Sequence, residues 1–258
     1  MSILKELHFA NIWEHISDII PERTAVVCGE HKKSWFEYEQ DAAKIASFLN
    51  AQGIKEDSKV GLYLHNSNEY LESQFATFKV MGVPINVNYR YKSNELIYLL
   101  DNSDSEAVFF QACYADQIDQ IAKKLPSVKT WIQVGENNES SLSFVYKYKD
   151  IIKKYAPMER IDRNEENTYM IYTGGTTGMP KGVMYSHASL AVSMFGNLKQ
   201  QGYKVPDVRN KDNLSELKPV LKEMDKANSF NKCLIACPLM HGTGMFLGGF
   251  STHILGGT

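Results

Sequence analysis

The sequence contains the run Tyr172-Thr173-Gly174-Gly175-Thr176-Thr177-Gly178-Met179-Pro180-Lys181-Gly182, which places four glycines, three threonines and one lysine in eleven residues. The apolar stretch Thr168–Tyr172 before it predicts a strand that enters a loop. Glycines allow positive φ and a close approach of backbone N–H groups to an anion, while the threonine hydroxyls and Lys181 add donors and positive charge. The run therefore predicts a phosphate-binding loop, with an ordinary glycine- and threonine-rich turn as the alternative.

Two common nucleotide-binding motifs do not fit this run. A P-loop needs Gly-Lys followed by Ser or Thr, whereas the lysine here lies in Pro180-Lys181-Gly182. A dinucleotide-binding motif leads directly into a helix, but Val183-Met184-Tyr185 separates these glycines from the helix expected after Ser186. A P-loop kinase or NTPase stays an alternative, which ATP hydrolysis dependent on Lys181 would support.

Further stretches of the sequence resemble the motifs of one protein family, and they occur in the same order along the chain. Upstream of the loop are Ser34–Tyr38, Val60–Ser67 and Met81–Asn88, and downstream is Cys237-Pro238-Leu239-Met240-His241-Gly242-Thr243-Gly244-Met245. Together they resemble the adenylate-forming (AMP-binding) superfamily, which contains acyl-CoA synthetases, luciferases and the adenylation domains of peptide synthetases. Within that family, the chain looks most like fatty or steroid side-chain acyl-CoA synthetases.

The resemblance implies a reaction and a set of site residues. A fatty or steroid side-chain carboxylic acid would react with ATP to give an acyl adenylate and pyrophosphate, and coenzyme A would then form a thioester. The residues that would bind the ATP phosphates belong to the loop: Thr173, Gly174, Gly175, Thr176, Thr177, Gly178 and Lys181. Thr173 would also contact Mg²⁺, and His241 would gate and position the acyl group as the catalytic-site residue. A histidine held only by backbone hydrogen bonds is the alternative for His241.

Composition excludes some classes of function. The 258 residues are 43% hydrophobic, enough for one large globular domain or two smaller ones. Lys and Arg number 28 against 30 Asp and Glu, so the net charge of −2 gives no general attraction to nucleic acid. The four cysteines show no CxxC spacing, so we expect buried, reduced thiols rather than a metal site.

The start of the sequence bears on localisation. Charged residues interrupt every apolar run there, so no secretory signal is expected: Lys5, Glu6, Glu14 and Asp18. No run of about 18 apolar residues predicts a transmembrane helix. We therefore expect a cytoplasmic protein. An apolar stripe including Leu7, Ile12, Trp13 and Ile16 leaves peripheral membrane contact open, although a helix packed on its own domain explains it more simply.

Strand-like and helix-like segments alternate along the chain. Strands are expected at 25–28, 32–35, 59–64, 85–87, 106–111 and 130–134, with helices at 38–52, 68–81, 93–100, 114–124 and 146–155. Leu214, Leu217, Leu221 and Met224 predict a further amphipathic helix. This alternation of strands and helices predicts an α/β fold with a doubly wound, mostly parallel sheet and helices on both faces. We expect a first subdomain at 1–165, and the loop with the start of a second subdomain at 166–258.

The family pattern extends beyond these residues. The chain lacks the Tyr-Gly-x-Thr-Glu motif that would contact Mg²⁺ and adenine, and the Thr-Gly-Asp that would hold the ribose. The small C-terminal domain with its lysine is absent as well. We therefore expect an incomplete amino-terminal domain of the acyl-CoA synthetase-like fold, inactive alone. The alternative is a non-catalytic binding or association module that pairs with a complementary piece or forms a homo-oligomer.

Overall fold

The structure is a computed structural model that describes residues 6–174, 179–206 and 214–258. The chain divides into two compact units that interleave along the sequence. The helical unit comprises the described residues of Met1–Gln40, Arg160–Tyr169 and Tyr185–Thr258, and the sheet unit comprises those of Asp41–Glu159 and Met170–Met184. The domain boundary expected between residues 165 and 166 stays a prediction.

The first helix belongs to the helical unit and is amphipathic. α1 (Phe9–Ile19) buries Ile12, Trp13 and Ile16 completely. The apolar stripe is therefore core, and the lipid-facing alternative is wrong because these side chains are enclosed by the protein itself. Over the described residues, no helix is both long enough and apolar enough to cross a membrane.

A hairpin and a capped helix follow. β1 (Thr24–Cys28) and β2 (His31–Ser34) pair antiparallel, as the sequence predicted. α2 (Trp35–Ala51) then begins with a capping box. Glu37 N–H donates to Ser34 Oγ at 3.2 Å, and Ser34 N–H donates to Glu37 Oε2 at 2.8 Å. The pair satisfies backbone donors at the helix start and explains why α2 begins three residues before the predicted Tyr38.

The sheet unit is built on five parallel strands, with helices after all of them except β6. The strands are β3 (Lys59–Tyr63), β4 (Val83–Asn86), β5 (Ser105–Gln111), β6 (Thr130–Val134) and β7 (Val145–Lys147). The intervening and following helices are α3 (Asn68–Lys79), α4 (Ser93–Asn102), α5 (Ala115–Ile121) and α6 (Tyr148–Lys154). The strand order is β4-β3-β5-β6-β7, and each neighbouring pair is parallel. This order is that of a doubly wound sheet, so the predicted fold class is confirmed.

Both faces of the sheet are buried. Val108 and Phe110 of β5 point toward one face and join a core to which α4 and α5 contribute Leu99 and Ile118. Phe109, between them, points the other way and is also fully buried. Burial on both sides explains why these strands read as continuous apolar runs instead of alternating ones.

Two sequence predictions for these elements were wrong. The segment predicted as a helix from Tyr146 begins as a strand, because Val145 and Lys147 pair in parallel with Trp131 and Gln133 at the sheet edge. The thiols expected to be buried are all exposed: Cys28, Cys113, Cys233 and Cys237. An apolar neighbourhood in sequence did not enclose them, because segments such as Lys232–Leu234 are exposed in the helical unit.

The remaining elements follow the glycine-rich run. β8 (Thr168–Thr173) and β9 (Lys181–Ser186) pair as a two-stranded sheet. Ser186 is the N-cap of α7 (His187–Gln200), and its hydroxyl accepts the Ser189 N–H at 3.2 Å. The predicted amphipathic helix is α8 (Leu217–Ala227), and a π-helix (Thr243–Phe250) follows.

Candidate functional site

The predicted phosphate-binding loop connects β8 to β9. Ile171 and Tyr172 are buried, whereas Thr173 and Gly174 are exposed at the end of β8. On the other side, Lys181 is exposed at the start of β9. The structure thus brings these three predicted residues to the two ends of one loop, while the other four lie outside the described residues: Gly175, Thr176, Thr177 and Gly178.

Asn86 holds the backbone at the entrance to this loop. It is the last residue of β4, at the carboxyl edge of the parallel sheet. Its Oδ1 accepts the N–H of Tyr172 at 2.6 Å, and its Nδ2 donates to the carbonyl of Tyr172 at 3.0 Å. A single side-chain amide therefore satisfies both backbone groups of the residue before Thr173.

Helix α4 contacts both ends of the loop. The Tyr172 hydroxyl donates to Asn102 Oδ1 at 3.0 Å, and burial raises the pKa of this phenol. The Tyr98 hydroxyl lies 3.5 Å from the carbonyl oxygen of Pro180, at the long limit of a hydrogen bond. Helix α4 thus contacts the ring of Tyr172 before the loop and lies near Pro180 after it.

Gly182 allows the two strands beside the loop to approach each other. A Cβ at this position would lie 2.7 Å from Met170 Sδ and 3.2 Å from Tyr172 Cε2. The first distance is shorter than real Cβ contacts, so a larger residue would displace the Met170 side chain. Glycine here keeps β9 against the side chains of β8, next to Lys181.

The loop residues supply donors suited to phosphate. Thr173 offers a hydroxyl, Gly174 has open space around its Cα, and Lys181 offers an ammonium group. Over residues 6–174, 179–206 and 214–258, no group of three His, Cys, Asp or Glu side chains is arranged to hold a metal. A Mg²⁺ ion that keeps much of its hydration shell fits a lone hydroxyl plus phosphate oxygens, so the contact with Thr173 stays a prediction.

A second polar cluster lies after the ends of β3, β4 and β5, and the sequence analysis missed it. Tyr114 Oη and His65 Nε2 are 2.8 Å apart and hydrogen-bonded. The His65 ring meets the Tyr89 ring edge-on with centroids 4.8 Å apart, and the ring centroids of Tyr63 and Tyr114 are 4.4 Å apart. Burial, followed by the neighbouring Cys113, raises the pKa of Tyr114 to about 12. Ligands of open α/β sheets bind at this edge, and aromatic residues just after successive strands are the signal that marks it.

His241 belongs to the helical unit and is exposed. Its N–H donates to the carbonyl of Pro238 at 3.0 Å, and its own carbonyl accepts the Met245 N–H at 2.9 Å. A Cβ on Gly244 would lie 2.3 Å from the Pro238 oxygen, so only glycine permits this tight fold of the backbone. The π-helix that follows is a type of distortion often found at functional sites.

Comparison with known proteins identifies the family. The model of the family described as "AMP-binding enzyme" matches residues 14–258. The chain belongs to the AMP-binding enzyme family. Its fold agrees with that of an inhibitor-bound N-terminal domain of FACL13 from Mycobacterium tuberculosis, with TM-score 0.73, 21% identity, and coverage of 97% of this chain and 56% of that one. ATP-bound MatB from Rhodopseudomonas palustris gives TM-score 0.74 at 22% identity, covering 96% of this chain and 44% of MatB.

Curated relatives of this AMP-binding enzyme chain are acyl-CoA ligases. The 3-oxocholest-4-en-26-oate–CoA ligase of Rhodococcus rhodochrous is 36% identical over 184 residues, which cover 70% of this chain and 33% of the relative. A medium/long-chain-fatty-acid–CoA/3-oxocholest-4-en-26-oate–CoA ligase of Mycobacterium tuberculosis strain H37Rv is 35% identical, with coverage of 74% and 35%. The matched part of the chain thus spans about a third of the length of these relatives.

Proposed function

We propose that this chain carries the ATP-phosphate-binding part of an ATP-dependent acyl-CoA ligase. The observation that carries the proposal is the loop between β8 and β9, whose entering strand is held at the carboxyl edge of the parallel sheet by the two hydrogen bonds of Asn86. The family match and the ligase relatives support the same reaction class.

The chemistry explains why such a loop is needed. A carboxylate oxygen attacks the α-phosphorus of ATP, the bond to the β-phosphate oxygen breaks, and pyrophosphate leaves with the bonding electrons. In the second step the thiol of coenzyme A gives up its proton and its sulfur attacks the acyl carbonyl carbon. The bond from that carbon to the phosphate oxygen breaks, and AMP leaves with the bonding electrons. Because an anion approaches a polyanion, positive charge and hydrogen-bond donors must offset the repulsion.

The residues of this chain would act on the phosphates. Thr173 and the loop amides would donate to the β- and γ-phosphates, and the ammonium group of Lys181 would offset their charge. Mg²⁺ would supply further screening of the phosphates when bound. His241 would gate and position the acyl group, as the sequence resemblance implies.

The names of the relatives support a substrate class. The ligases from Rhodococcus and Mycobacterium act, by name, on 3-oxocholest-4-en-26-oate, and the second also on medium- and long-chain fatty acids. We extend this class to our chain as a fatty or steroid side-chain carboxylic acid, with ATP and coenzyme A as co-substrates in a cytoplasmic enzyme.

These 258 residues by themselves are proposed not to complete adenylation. They contain neither a Tyr-Gly-x-Thr-Glu nor a Thr-Gly-Asp motif. The test has two parts on the purified chain: binding of MgATP by calorimetry, and carboxylate-dependent exchange of labelled pyrophosphate into ATP. Binding without exchange is the expected result. Exchange would overturn the claim of inactivity, and absence of any MgATP or tripolyphosphate binding would overturn the phosphate-binding assignment.

An association module is the second candidate, favoured by exposed apolar residues in the helical unit. Leu234 is 93% exposed and Leu247 is 68% exposed, and both line a cleft of about 650 Å³. Contiguous exposed apolar patches mark interaction surfaces, and these two leucines line the same cleft. Self-association that weakens in Leu234→Ser, measured by light scattering over a range of concentrations, would support this candidate. A monomer at high concentration would count against it.

A further inference from the structure

The side chain of Asn86 makes the two hydrogen bonds to the backbone of Tyr172 that a neighbouring strand would otherwise make. β8 pairs with β9 and not with β4, so the sheet of β4 does not continue into β8. Asn86 nevertheless presents its amide to Tyr172 as a neighbouring strand would, with one acceptor and one donor at 2.6 and 3.0 Å. The side chain is half-buried at the end of β4, within a fixed element of the sheet unit.

This arrangement fixes the register of the chain just before the loop. Successive side chains of a strand point to opposite faces, so a slip of one residue at Tyr172 would turn Thr173 to the other face. Asparagine suits the task because its amide carries both an acceptor and a donor. Aspartate would keep only the acceptor at neutral pH, and alanine would keep neither.

We propose that Asn86 is a positioning residue for ATP: it sets the strand that presents Thr173 and Gly174 to the phosphates. The inference rests on the proposed function of the loop. Asn102 makes a useful comparison because it contacts the phenol of the same Tyr172 and not its backbone. Loss of the Asn102 contact would free the ring while Asn86 still held the register.

The experiment compares Asn86→Ala, Asn86→Asp and Asn102→Ala with the wild-type chain. Affinity for MgATP and for inorganic tripolyphosphate is measured by calorimetry below the unfolding transition, and exchange of the Tyr172 amide hydrogen is followed by NMR. We expect Asn86→Ala to weaken both affinities by about tenfold and to speed exchange at Tyr172, because two hydrogen bonds are lost. Asn86→Asp should give a smaller increase in exchange, and Asn102→Ala should stay within about twofold of wild type in affinity.

The outcomes separate this inference from the function on which it rests. If Asn86 only stabilises the fold, Asn86→Ala will have a lower unfolding midpoint but the wild-type affinity for tripolyphosphate. That result would overturn the positioning role and leave the proposed function intact. The positioning role would also be overturned if Asn86→Ala and Asn86→Asp both bound the two probes with wild-type affinity. If the wild-type chain binds neither probe, the proposed function fails, and the role of Asn86 fails with it. Asn86→Asp keeps the Tyr172 N–H partner, so it serves if the alanine variant does not fold.

Discussion

The imidazole rings of His8 and His187 stack face to face in the helical unit, with centroids 3.9 Å apart and planes 7° apart. Both residues are fully buried. His8 Nδ1 accepts the Ala10 N–H and His187 Nδ1 accepts the Phe9 N–H, each at 3.2 Å. Both rings are therefore neutral, with their protons on Nε2, because a protonated Nδ1 could not accept these bonds.

The first prediction is that acid destabilises the protein through this pair. Burial, followed by repulsion from Arg163, lowers the pKa of His187 to about 3, and burial and His187 lower that of His8 well below its usual value. Below the unfolded pKa of about 6.5 the unfolded chain binds protons that the folded state excludes, so stability present above that pH falls as pH falls. For His187 alone the loss at pH 5 is about 2 kcal/mol. Urea denaturation at pH 7.5, 6 and 5 measures it.

A matched variant isolates the buried imidazole from other acid effects. His187→Phe keeps a ring but cannot bind a proton, so its stability should fall less between pH 7.5 and 5 than that of the wild type. If the unfolding free energy of His187→Phe and of the wild type fell by the same amount between pH 7.5 and 5, His187 would not contribute to the acid sensitivity.

The second prediction concerns a buried ion pair in the same unit. Arg163 binds Glu14 through two hydrogen bonds of 2.8 and 2.9 Å, and the side chains are 1% and 5% exposed. Arg163→Met leaves a buried carboxylate without this partner and should cost about 3–5 kcal/mol of unfolding free energy. Lys204→Met breaks a pair with Glu223 that is mostly exposed, and should cost less than about 1 kcal/mol. Similar losses in both variants, measured by urea denaturation, would contradict this difference.

The parallel sheet was predictable because its signals are local. The strand predicted at 130–134 is β6 with the same bounds, since a short apolar run between polar segments can form only a few structures. The strand at Val145–Lys147 was not predictable in this way. The lysines that follow Tyr146 indicate a solvated helix face, and only pairing with β6 at the sheet edge makes Val145–Lys147 a strand.

The candidate site was predictable in its loop and not in its supports. Glycines, threonines and a lysine close together in sequence indicate phosphate chemistry without any tertiary information. By contrast, Asn86 and Asn102 contact Tyr172 across 86 and 70 residues of chain. Nothing in the local pattern around an asparagine distinguishes a side chain that binds a distant backbone from one that faces solvent.

The third prediction uses two glycines of the helical unit. A Cβ on Gly244 would lie 2.3 Å from the backbone oxygen of Pro238, which cannot move without changing the turn before His241. Gly244→Ala should therefore destabilise the protein by about 3 kcal/mol or more. Gly196→Ala has no neighbour within 4 Å of its Cβ inside α7, so it should be neutral or stabilising by up to about 1 kcal/mol. Thermal unfolding of both variants measures the contrast, and equal effects would contradict it.

The fourth prediction tests the charge at the exit of the loop. Lys181 is exposed, so Lys181→Ala should leave the unfolding midpoint almost unchanged. Its ammonium group is proposed to offset phosphate charge, so the same change should weaken binding of MgATP and tripolyphosphate by about tenfold at low salt and by less at high salt. Lys124→Ala removes an exposed lysine from a different segment of the sheet unit and should bind like wild type. Calorimetry at two salt concentrations makes the comparison. Equal affinity of Lys181→Ala and wild type would show that Lys181 does not contact the phosphates. A loss of affinity in Lys124→Ala as large as that in Lys181→Ala would show that the effect comes from net charge alone.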